Sequence, residues 1–81
     1  MKTVTKVQPL DGYRLLVEFE NGQQRISDLS HLLEKPVFSF LKNRTYFSAV
    51  YVAYGTITWK DADGNEVDIC PDKLYMDSVP I

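Results

Sequence analysis

The sequence predicts an α+β domain: a mostly antiparallel sheet of about six strands, a short broken helical segment over about 29–42 packed on it, and a single helical turn near 71–75. Three observations lead there. Apolar residues alternate at period two in several runs separated by Gly, Asn and Asp turn chemistry. Between Leu29 and Leu41 the spacing becomes helical. Pro71 then stands where a helix favours proline, at its first position. With 81 residues, 44% of them apolar and 25% charged, the composition is globular and the chain is expected to be one compact domain, 1–81.

The elements follow in order. Thr3–Gln8 is rich in β-branched residues and ends at Pro9, with Asp11-Gly12 turning the chain. From Tyr13 to Phe19, the residues Tyr13, Leu15, Val17 and Phe19 share one face, with Arg14 and Glu18 opposite. Asn21-Gly22 is a two-residue hairpin signal, so Gln24–Ser27 should return beside that strand. Asp28 can accept hydrogen bonds from the free N–H groups of a following turn, and Leu29, Leu32 and Leu33 repeat helically until Pro36. Past it, Val37, Phe38, Phe40 and Leu41 give further helical turns, ending at Asn43 in a left-handed position. Phe47–Tyr54 is apolar on both faces and reads as a central strand covered from both sides. Gly55 opens a tight turn into a strand carrying Ile57 and Trp59. Asp61-Ala62-Asp63-Gly64-Asn65 turns it into Glu66–Cys70, and an irregular tail ends at Pro80, which should stop regular structure.

Composition excludes several classes. The single cysteine, Cys70, forms no intrachain disulfide, which points to a reducing, cytoplasmic setting. The longest apolar run, Ala49–Tyr54, is far short of the roughly 20 residues of a membrane span, and residues 2–6 lack the apolar stretch of a secretory signal. Residues 1–44 hold seven Lys/Arg and five Asp/Glu, and residues 45–81 hold two and six, so the halves carry +2 and −4. The seven cations are scattered singly, which disfavours direct nucleic-acid binding.

Catalytic signatures are missing. His31, the only histidine, has no nucleophile motif beside it and reads as an ordinary helix residue. Cys70 lies between Asp68 and Asp72, which oppose a thiolate, and reads as a half-buried filler. The acidic group Asp61, Asp63, Glu66, Asp68 and Asp72 lacks the glycine position of a calcium loop. With Tyr54, Lys60 and Tyr75 it makes the candidate protein-docking surface, because tyrosines beside charge are favoured at interfaces. No catalytic residue, cofactor or metal is expected.

Several stretches read together carry a resemblance: Leu16-Val17-Glu18-Phe19-Glu20-Asn21-Gly22, Asp28-Leu29 with Leu32-Leu33, Pro36-Val37-Phe38, Phe47 with Ala49-Val50, Ile57-Thr58-Trp59, and Val67-Asp68-Ile69-Cys70-Pro71-Asp72-Lys73-Leu74-Tyr75. In order and spacing they resemble the bacterial domain of unknown function 2442 across nearly the whole chain. The resemblance implies a small α+β domain without known catalytic residues, often encoded beside another small protein in an arrangement like a toxin–antitoxin pair. The expectation is a non-catalytic protein-binding or regulatory module of a small bacterial operon, antitoxin-like, whose partner is the neighbouring gene product. The alternatives are a transcription-associated regulator acting through a DNA-binding partner and, ranked last, a small carboxylate- or metal-dependent hydrolase. The first strand, Thr3–Gln8, is the candidate edge for a homodimer.

Overall fold

The computed structural model describes residues 2–81, and among these seven strands form two antiparallel sheets, where the sequence suggests one. Strands β1 (Val4–Pro9), β2 (Arg14–Phe19) and β3 (Gln24–Asp28) form a meander whose far edge is completed by β7 (Val79–Pro80). A second meander holds β4 (Tyr51–Ala53), β5 (Thr56–Lys60) and β6 (Glu66–Asp68). Between the meanders run two 3₁₀ helices, Ser30–Leu32 and Pro36–Lys42, and the helix α1 (Arg44–Ser48); α2 (Pro71–Asp77) precedes β7.

The alternation in β2 has its expected result: Leu15, Val17 and Phe19 are buried, and Leu16 and Glu18 occupy the other face. Each fully buried side chain of this size stabilises the domain by about 1.5–3 kcal/mol. The turn into β3 differs from the two-residue hairpin. Gly22 alone takes a positive φ, 84°, and its N–H donates to the Phe19 carbonyl at 2.8 Å, while the Phe19 N–H donates to Gln23. That is the three-residue loop closed by a left-handed glycine, and it leaves Asn21 to accept from the Gln23 N–H.

The broken helical segment lies where the sequence sets it, but as 3₁₀ turns. Asp28 Oδ1 accepts from the Ser30 N–H at 3.0 Å, and this bond holds its carboxyl below the ordinary value. Leu29, Leu32, Leu33 and Leu41 are buried beneath the segment. Asn43 is not a left-handed terminus. It has φ −76° and caps α1, its side chain accepting from the Thr45 N–H.

The expected central strand Phe47–Tyr54 is the main correction. Its first residues are helical in α1, which buries Phe47 in the core, and β4 is a three-residue end strand. The reason lies in Trp59 on β5. Its indole N–H donates to the Phe47 carbonyl at 3.1 Å, and the two rings pack with centroids 6.3 Å apart, so tertiary packing overrides β propensity. The true centre of the sheet is β5, where Thr56, Ile57, Thr58 and Trp59 are all buried. The Thr56 hydroxyl is satisfied there by the Ile69 carbonyl.

The chain end also departs from expectation. Helix α2 runs two residues past the single turn, burying Leu74, and Pro80 lies in β7 opposite Arg25, an edge position where its missing N–H costs no ladder bond. Cys70 is exposed, not half-buried. One cluster joins Val4, Phe19, Phe47, Ile57, Trp59 and Leu74, so both sheets and both α-helices share a core. Among the described residues, no helix is long and apolar enough to cross a membrane.

The two sheets meet at β1 and β4. The Val4 N–H donates to the carbonyl of Gly55, in the turn that follows β4, at 2.8 Å, and among the described residues no backbone bond joins β1 to β4 itself. Beyond that point they border an open groove of about 400 Å³, lined on one side by Lys6, Gln8, Leu16 and Glu18 and on the other by Val50 and Val52. β1 is thus an end strand of its sheet, as the sequence indicates, with β4 beside it.

Candidate functional site

The residues Tyr54-Gly55 form the β4–β5 turn. Ala53 pairs with Thr56, and the two residues between them have φ 57° and 73°, the pair of positive values that a type I′ hairpin requires. Glycine meets that demand without strain; tyrosine does not. Tyr54 is the one non-glycine residue with positive φ among the described residues, and its side chain is 79% exposed.

The register then carries its neighbours into place. Tyr51 lies opposite Thr58, Thr58 opposite Asp68, and Lys60 opposite Glu66, so these side chains share the outer face of the three-stranded sheet. From β4 the Tyr51 hydroxyl reaches over the central strand and donates to Glu66 Oε2 at 2.7 Å. The Tyr54 hydroxyl donates to Glu66 Oε1 at 2.9 Å. Beneath this bridge Thr58 is fully buried. Two phenols therefore close on one carboxylate, each on its own oxygen.

The electrostatics follow from those bonds. Hydrogen bonds from Tyr51 and then Tyr54, with the Lys60 charge adding to them, hold the Glu66 carboxyl below its ordinary value. Donating to the anion makes ionisation of the phenols harder: Tyr51 is pushed up to about 12, and Tyr54 is raised for the same first cause. At neutral pH the cluster is one carboxylate and two protonated phenols.

The remaining docking candidates separate. Asp61 Oδ1 accepts from the N–H groups of Asp63 and Asn65, each at 2.9 Å, and so builds the β5–β6 turn. Asp63 is exposed at that turn, outside the tyrosine cluster, and Asp68 is exposed on β6. Asp72 accepts from the Lys2 N–H at 2.7 Å. Tyr75 is half-buried; it donates to Gln23 Oε1 at 2.5 Å, packs edge-on against Phe19, and takes Lys2 and Arg25 over its ring, each 4.2 Å from the centroid. These last two fasten α2 to the four-stranded sheet. The structure thus unites Tyr54, Lys60, Glu66 and Asp68 on one face and sets Asp72 and Tyr75 apart as packing residues. Among the described residues no three His, Cys, Asp or Glu side chains gather to hold a metal ion.

Tyr51 completes the cluster, and it is not among the docking residues that the sequence singles out. Its signal is the register: a two-residue turn at Tyr54-Gly55 and a turn at Gly64 together put residues 51, 58, 60 and 66 on one face. The groove begins on the other side of the same tyrosine, which lines it with Val50 and Val52. There Glu18 accepts from Gln24 at 3.2 Å and lies 4.0 Å from Lys6.

The order of these segments along the chain matches a family model, described as a protein of unknown function (DUF2442), over residues 4–80. The chain belongs to the DUF2442 family. As a DUF2442 domain its fold is the α+β pair of antiparallel sheets described above. No curated protein matches the chain, and no solved structure does.

Proposed function

We propose that this DUF2442 domain is a non-catalytic protein-binding module, the regulatory, antitoxin-like member of a small bacterial operon acting in the cytoplasm, and that its partner is the neighbouring gene product. The single observation that carries the reading is Tyr54. A bulky residue occupies a strained backbone position where glycine or asparagine would be more stable, and it presents a large, amphipathic side chain to solvent. Local rules are broken in this way where function demands it. The hydrogen bond to Glu66 restrains the ring before any partner arrives, which lowers the entropy lost on association. Tyrosine is also among the residues that dominate binding energy at interfaces.

The chemistry of the cluster supports a binding role over catalysis. A general acid or base works best with a pKa near the operating pH, whereas here the carboxyl is lowered and the phenols are raised, both away from neutrality. Co-expression with the neighbouring gene product tests the reading. The two chains are expected to co-elute, and Tyr54→Ala should weaken the complex at least tenfold, a hot-spot effect. Separate elution, with no change in the neighbour's activity, would overturn it.

A further inference from the structure

The docking reading leaves open what the tyrosine cluster recognises, and the charge on this face answers it. We propose that the partner inserts a cationic side chain, arginine or lysine, which Glu66 receives between Tyr51 and Tyr54. The inference rests on the docking reading and adds the chemistry of the partner.

The first argument is charge complementarity. From Tyr51 to Asp68 the chain holds one cation, Lys60, against Asp61, Asp63, Glu66 and Asp68, a balance of −3 on a single sheet and its turn. An anionic lipid surface or a phosphate backbone would be repelled by this face, and a basic protein segment attracted. Second, Glu66 has capacity left. A carboxylate offers about four lone-pair sites, and the two phenols use one on each oxygen. Among the described residues no cation comes within 4.0 Å of it, Lys60 included, so the ion pair has yet to be made. Third, the surroundings keep the receiving group anionic and in place: the Tyr51 and Tyr54 hydroxyls donate to Glu66 at 2.7 and 2.9 Å, so an arriving arginine meets a positioned carboxylate with which it can form charge-assisted hydrogen bonds. Fourth, the groove beyond Tyr51 has apolar walls in Leu16, Val50 and Val52, so a neighbouring apolar residue of the same segment finds a place beside the anchored cation.

Titration of the ¹⁵N-labelled domain with an acetylated, amidated Val-Arg-Val-Arg-Val peptide, and with its uncharged citrulline counterpart, tests the inference. The arginine peptide should shift the amides of Tyr51, Val52, Tyr54 and Glu66 and bind about tenfold more tightly than the citrulline peptide. Glu66→Gln, checked for an unchanged dispersed spectrum, should lose about that factor, while Asp63→Asn, which removes the same charge from the adjacent turn, should change affinity less than about twofold. Equal losses in the two variants would mean general acidity without a site, and equal binding of the two peptides would mean no cation recognition; either overturns the proposal. If Tyr54→Ala breaks the complex with the neighbouring product and the arginine peptide still fails to bind, the docking reading stands and the cationic anchor falls. If Tyr54→Ala leaves the complex intact and the arginine peptide does not bind, both fall.

Discussion

Replacing Tyr54 with asparagine should stabilise the domain while removing its most exposed aromatic group. An L-residue held in the left-handed region carries strain of roughly 1–2 kcal/mol, and asparagine tolerates that region far better than tyrosine. With φ at 57° and Gly55 following, the substitution creates the Asn-Gly pair that this turn prefers. The lost bond to Glu66 is at the surface and offsets only a fraction of the relief. A net backbone gain of about 0.5–1 kcal/mol raises Tm by roughly 3–6 °C in a domain of this size. Differential scanning calorimetry reads this directly. Tyr54→Ala is the control, because alanine keeps the strain and loses the phenol, so its Tm should equal or fall below that of the parent. Should Tyr54→Asn melt at or below Tyr54→Ala, the claim that position 54 is strained is wrong, and with it the main support for a functional tyrosine there.

Two further predictions concern the cluster and the core. Tyr51 is favoured in its protonated form by folding, so its contribution is complete below the ordinary phenol value of 10 and is lost as pH rises through about 12; Glu66, lowered by folding, contributes above its ordinary 4.5 and loses that contribution as pH falls through its folded value. Tyrosinate absorbance should therefore show one of the five tyrosines ionising near 12, returning toward 10 in Glu66→Gln, and an unchanged titration in that variant would refute the bond. Trp59→Phe removes the indole donor from the Phe47 carbonyl, which keeps the Val50 N–H at 3.3 Å, and leaves a void beside β5, at a cost of about 1–2 kcal/mol seen as a lower urea midpoint; a loss under about 0.5 kcal/mol would show that the indole bond does not hold α1.

Where a single physical rule governs a segment, the sequence was a good guide. Leu15, Val17 and Phe19 announce β2 because period two and burial coincide, and Pro71 opens a helix because its fixed φ suits that position; Pro36, read as a break, in fact opens the second 3₁₀ helix. The misjudged segments are those where a distant partner decides. Arg44–Ser48 contains β-prone Thr45, Tyr46 and Phe47, yet the Asn43 cap and Trp59 make it helical. Asn21-Gly22 advertises a two-residue hairpin and forms a longer loop, while the two positive φ values occur at Tyr54-Gly55. Turn preference is a local average that register can overrule. Of the candidate site, the charged residues were legible because they stand out one by one. Tyr51 was hidden inside an apolar run, and its role is visible only once three strands are aligned.

The contact between β1 and β4 makes the domain a mechanical linkage. The carbonyl that takes the Val4 N–H belongs to Gly55, the second half of the very turn that displays Tyr54. A side chain at Gly55 would stand 3.3 Å from Thr3 Cγ2, so the amino-terminal strand also sits flush against that turn. A new strand pairing along β1 would act on the tyrosine's backbone through that hydrogen bond. The exposed tyrosine is thereby coupled to the position of the amino-terminal strand.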